Sequence, residues 1–174
     1  MRWIKILNAT LDLLFYFALL SALGVTMFFF VALKDPSFHF QVSNYDFKNV
    51  HWSFYLVITC AIISQYLFLG MIHQMRGAAR LLKKLNFLRI ELSRLLYQAG
   101  ILCVVGVLLN RVPPFFYNMF HMLPNKSVGS STTLSLLYSF DSMLIVVCFG
   151  IFLIIPSKII QYSIGIKQEN DLTI

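Results

Sequence analysis

Four long apolar runs, each near the length that crosses a bilayer, decide what this chain can fold into. The first, LDLLFYFALLSALGVTMFFFVAL, spans residues 11–33. At a rise of ~1.5 Å per residue it matches a hydrocarbon core of ~30 Å. The second spans residues 52–74. The third is short as LLYQAGILCVVGVLL, so its start is set back to Ile90, giving 90–110. The fourth spans 134–156 and meets Pro156 at its end. One such run can be the buried helix of a soluble protein. Four in 174 residues predict an all-α, four-transmembrane-helix bundle forming a single integral membrane domain. The basic leader MRWIK resembles the start of a signal peptide. The run behind it is too long for a signal core and no small-x-small cleavage site follows, so it reads as a retained anchor.

Composition supports the same class. The chain is 59% hydrophobic and 12% charged, where a soluble domain is roughly 25% charged. Lipid must be the solvent for part of it. Cys60, Cys103 and Cys148 each sit inside an apolar run, as small hydrophobes do, and no paired Cys/His spacing suggests a metal. No metal and no cofactor is expected. No nucleophile, base and orienting group occur together in the sequence, and His39, His51 and His121 are isolated, so no enzymatic activity is expected either.

Charge sets the orientation. The segment MRGAARLLKKLNFLR lies between runs two and three and therefore shares a side with both termini. That side carries Arg2, Lys5, Arg76, Arg80, Lys83, Lys84, Arg89, Arg94, Lys158 and Lys167. The other carries Lys34, Lys48, Arg111 and Lys126. Ten against four predicts an N-in/C-in protein of a bacterial inner membrane, with a cytoplasmic basic loop at 75–90 and a cytoplasmic tail at 157–174. Topology alone accounts for most of this charge. Yet Arg76, Arg80, Lys83 and Lys84 also share one helical face, followed by Arg89, with Leu81, Leu85 and Leu88 in a stripe beside them. Such a face fits anionic lipid headgroups or a cytosolic protein. Direct nucleic-acid binding is not expected, because no helix-turn-helix pattern is present and both ends of the segment are tethered to the bilayer. Gly77, Ala78 and Ala79 permit close helix approach at the membrane exit.

On the other side, KDPSFHFQVSNYDFKNVH alternates apolar and polar residues around a turn, which fits a small outer β-hairpin between helices 1 and 2. Pro113 and Pro114 are expected to end helix 3. Several polar groups fall at membrane depth, where charge is costly and seeks a partner. Asp141 lies about 10 Å into the fourth run, with Arg111 as its expected partner. Asp12 sits near the inner end of helix 1, level with His73 and Arg94. Interhelical polar pairs that fix packing are the favoured reading. A proton or ion path through Asp12 and Asp141 is the other, and it would make the chain a small transporter, channel component or toxin-immunity protein.

The chain closes on YSIGIKQENDLTI. With four helices, N-in/C-in topology and a basic inner loop, this tail resembles a bacterial family of small four-helix membrane proteins known only as a domain of unknown function. Members end in a glycine, a few residues and an acidic segment closing on Asp-Leu-Thr-Ile or Val. Gly165, Glu169, Asp171, Leu172 and Thr173 match that ending, whereas LLKKLNFLRIEL replaces the family's usual cytoplasmic-loop motif. The resemblance implies a gene often adjacent to a small Cro-like helix-turn-helix regulator. The expectation is a non-enzymatic regulatory or interaction module that engages a cytoplasmic regulator protein through basic loop and tail. The pattern also admits a homo-oligomer.

Overall fold

The computed structural model describes residues 2–34, 52–83, 90–122 and 131–172, without the side chains of 131–141 and a few others near helix ends. Each described segment is one α-helix: α1 (Arg2–Lys34), α2 (Trp52–Lys83), α3 (Ile90–Met122) and α4 (Ser131–Leu172). All four are long and apolar enough to cross a membrane, and no strand occurs among the described residues. The chain is thus an all-helical, multi-pass membrane protein. The expected outer hairpin lies outside the described residues.

Every helix is longer than the apolar run that predicts it. In hydrocarbon a backbone N–H or C=O has no water to bond, so the helix continues until polar solvent is reached. The expected loop at 75–90 is corrected accordingly: residues 75–83 are the last turns of α2. Pro113 and Pro114 lie inside α3 rather than ending it, and α4 runs through Pro156 to Leu172. A proline removes one N–H and frees one carbonyl four residues back, a smaller cost here than unwinding a turn with no other partner for its backbone. Hydroxyls on lipid-exposed faces are satisfied within their own helix. Thr10 donates to the Ile6 and Leu7 carbonyls, and Thr59 to that of Tyr55 at 2.7 Å.

Successive helices are antiparallel. Asp12 meets Arg76 and Phe15 meets His73. Ser64 meets Gly106 and Gly77 meets Leu95, while Ser93 meets Ser157 and Gly100 meets Gly150. Among the described residues each helix packs only on its neighbours in sequence, α1 on α2, α2 on α3 and α3 on α4. The bundle is therefore an open row, with α2 and α3 inside it and α1 and α4 at its edges.

The core of the row is made of small residues. Ala99, Cys103 and Val107 on α3 are buried, as are Gly150, Leu153 and Ser157 on α4. At the crossing of α3 and α4 a Cβ on Gly100 would stand 2.7 Å from the Gly150 carbonyl oxygen, and one on Gly150 would stand 2.7 Å from Val104 Cγ2. Only glycine admits this approach at both positions, in the manner of small-residue contacts between membrane helices. One end of the crossing is closed by Ser93 and Ser157. The Ser93 hydroxyl donates to the Ser157 carbonyl at 2.9 Å and the Ser157 hydroxyl to the Ser93 carbonyl at 2.7 Å. Between α2 and α3 the Ser64 hydroxyl donates to the Gly106 carbonyl at 2.7 Å. The close approach expected at Gly77, Ala78 and Ala79 is present: both alanines are buried, and a Cβ on Gly77 would lie 3.3 Å from Leu95 Cδ1. Of the cysteines, Cys103 is buried and Cys60 half-buried, but Cys148 faces outward, where lipid serves an apolar thiol as well as protein does.

Candidate functional site

The antiparallel row brings the start of α1, the end of α2, the start of α3 and the end of α4 to one end of the molecule. Arg2, Lys5, Arg76, Arg80, Lys83, Arg94, Lys158 and Lys167 all lie on those segments. The opposite end carries Lys34 and Arg111 among the described residues. Lys84 and Arg89 fall outside the described residues, and Lys83 closes α2 with its side chain undescribed.

The best-defined polar cluster joins α1 to α2. On α1 Asp12, Phe15 and Tyr16 follow at i, i+3 and i+4 and so share a face; on α2 His73, Arg76 and Arg80 do the same at i, i+3 and i+7. Arg76 Nε donates to Asp12 Oδ1 at 2.5 Å. The Arg76 guanidinium lies 4.3 Å from the centre of the Phe15 ring and 5.9 Å from that of Tyr16, so the negative ring faces add to the carboxylate in holding its charge. The His73 ring is 6.0 Å from that of Phe15. Arg80 Nη2 stands at 4.0 Å from the same Asp12 oxygen. The two arginines differ in exposure: 14% of the Arg76 side chain is accessible against 65% for Arg80. Arg76 is an internal strut and Arg80 points outward.

This arrangement revises the sequence expectation in two ways. Asp12, which the sequence places level with His73 and Arg94, is held by Arg76, and Arg94 on α3 is exposed. Arg76 also leaves the outward basic face to which its periodicity assigns it. The helical wheel cannot reveal this, because the pairing depends on the register between α1 and α2. The one available signal is the spacing Asp12, Phe15, Tyr16 opposite an arginine, an acid and two aromatic rings prepared for one cation.

Elsewhere, Lys158 places its Nζ 5.0 Å from the centre of the Tyr97 ring on α3. Arg111 is half-buried on α3, while the Asp141 side chain, its expected partner, lies outside the described residues. In the tail, Gly165 and Glu169 are on α4, and a Cβ on Gly165 would meet nothing within 4 Å, so packing does not demand its glycine. Asp171 and Leu172 close α4 with side chains undescribed, and Thr173 falls outside the described residues. Among the described residues no three His, Cys, Asp or Glu side chains gather as a metal site. No family model, curated protein or solved structure matches the chain.

Proposed function

We propose that this chain is a non-enzymatic regulatory or interaction module of a bacterial inner membrane, with both termini cytoplasmic, that engages a cytosolic regulator protein through its basic end and tail. The observation that carries the reading is the gathering of cationic residues from all four helices at one end, where Arg80, Arg94, Lys158 and Lys167 are exposed. The positive-inside bias puts that end in the cytoplasm. α4 adds a helical extension there, since the register that sets Ser157 against Ser93 brings α3 to its first residue, Ile90, near Ile160. Residues 161–172 run beyond it, ~18 Å of helix at ~1.5 Å per residue. The tail's resemblance to proteins encoded beside a helix-turn-helix regulator supports a regulator as the partner. The Asp12–Arg76 pair supports a packing role for Asp12 over a place in an ion path, because a carboxylate held by arginine is a poor relay.

The test is a change of Arg80, Lys83 and Lys84 together to Gln. The variant inserts and folds as the parent does, with Arg94 and the remaining basic residues retaining the inner side, and it loses the cytosolic protein that co-purifies with the parent in mild detergent. Retention of every cytosolic contact would overturn the reading. Orientation is checked separately. A cysteine at Lys84 reacts with an impermeant reagent only once the inner face is opened, whereas one at Asn125 reacts from outside.

A further inference from the structure

The inner ends of α1 and α2 carry more than the Asp12–Arg76 strut. The register fixed by Asp12 with Arg76 and Phe15 with His73 sets Asn8 level with Arg80 and Lys5 level with Lys83. Among the described residues this junction holds Lys5, Arg76 and Arg80 to one acid, Asp12, and Arg76 already takes that acid at 2.5 Å. Arg80 is one turn nearer the chain termini than Arg76, ~6 Å along the helix. Its guanidinium is steered by the Asp12 oxygen at 4.0 Å but remains largely exposed. Lys5 is exposed on α1 at the next level out, and Trp3, 83% exposed, lies beyond it at the position of an interfacial anchor.

Below these cations the same face of α1 turns apolar. Lys5, Asp12, Tyr16, Leu23 and Met27 recur at helical spacing, and Tyr16, Leu23 and Met27 are 65%, 48% and 67% exposed. Two exposed cations, Lys5 on α1 and Arg80 on α2, stand toward the chain termini from exposed apolar side chains on one face of α1, the order of a lipid's phosphate and acyl chain.

We propose that the inner ends of α1 and α2 form a binding site for an anionic phospholipid, its phosphate held by Arg80 and Lys5 and one acyl chain laid along Tyr16, Leu23 and Met27. Asp12 is a positioning residue, fixed by Arg76 and orienting Arg80. A free phosphate would have no use for the track, which commits the site to lipid. The site rests on the reading of this end as the one that meets the anionic leaflet, yet it is tested without it.

The test is thermal unfolding of the full chain in a neutral detergent, with phosphatidylglycerol, phosphatidylcholine or inorganic phosphate added. A ligand that binds the folded state alone raises Tm. Phosphatidylglycerol raises the Tm of the parent, and the other two do not. Arg80→Gln and Lys5→Gln each lose most of that rise while keeping the parent's Tm without lipid. Arg94→Gln, which removes a cation from the same end but from α3, keeps it. The site is overturned if phosphatidylglycerol gives no rise, if inorganic phosphate gives the same rise, or if Arg80→Gln and Lys5→Gln respond like the parent or like Arg94→Gln. Detergent removes orientation from the experiment. Retention of the cytosolic partner by the triple variant, together with the expected lipid response in the parent, would therefore sink the partner reading alone, and loss of the partner with no lipid response in the parent would sink the site alone.

Discussion

The α3–α4 and α1–α2 contacts solve one problem, joining two helices in lipid, by opposite means. Between α3 and α4 the backbones meet at Gly100 and Gly150, and two serines exchange hydrogen bonds beside them. Between α1 and α2 a carboxylate, a guanidinium and two aromatic rings form the best-defined bridge, and the membrane-crossing window of α1 is 6% buried against 39% for that of α3. Helices in lipid gain nothing from hiding apolar surface from one another, so association rests on close packing and on polar groups. α3 and α4 use the first and α1 chiefly the second. A contact made of shape tolerates no added atom. A contact made of charge tolerates added atoms but not a lost partner.

The largest expected effect is at the crossing. Gly100→Ala puts a methyl 2.6 Å from Ile154 Cγ1 and 2.7 Å from a backbone oxygen that cannot move alone. The helices must separate, at a cost of about 3 kcal/mol, read as a fall in unfolding temperature in detergent. Next comes the charge bridge. Asp12→Asn leaves the Arg76 charge at membrane depth without its counter-ion and costs about 2 kcal/mol, less than the loss for a fully buried pair because Asp12 is 44% exposed. Arg76→Gln costs a similar amount, and the double change costs less than the sum, whereas additive losses would remove the pair. Ser93→Ala removes the hydroxyl from the exchange with Ser157 and costs about 1 kcal/mol by the same measurement. The smallest effect is at Gly24, where a Cβ would meet nothing within 4 Å. Gly24→Ala changes stability by less than about 0.5 kcal/mol, which separates the packing account at Gly100 from any general intolerance of alanine for glycine.

Much of this fold is legible in the sequence, for physical reasons that also mark where legibility ends. The four helices follow from run length, because hydrocarbon permits little else. Their ends do not: Pro113, Pro114 and Pro156 are stop signals in water, where a freed carbonyl finds a solvent partner, and lose that force where it finds none. Small residues at Gly77, Ala78 and Ala79 signal close approach, and there the helices do approach. Gly100 and Gly150 carry the same signal inside apolar runs, but nothing in either run says which glycine meets which. The polar cluster is the least legible part. Asp12 draws attention as an acid in a membrane helix, but choosing among His73, Arg76 and Arg94 requires the register between two helices.

The division of labour between two arginines one turn apart is the centre of this account, and thermal unfolding of Arg76→Gln and Arg80→Gln side by side in detergent tests it most directly. Each substitution removes one charge from the same face of the same helix. Arg76→Gln loses about as much stability as Asp12→Asn, while Arg80→Gln, at a side chain 65% exposed and 4.0 Å from the carboxylate, unfolds with the parent. Equal losses, or a larger loss for Arg80→Gln, would contradict it.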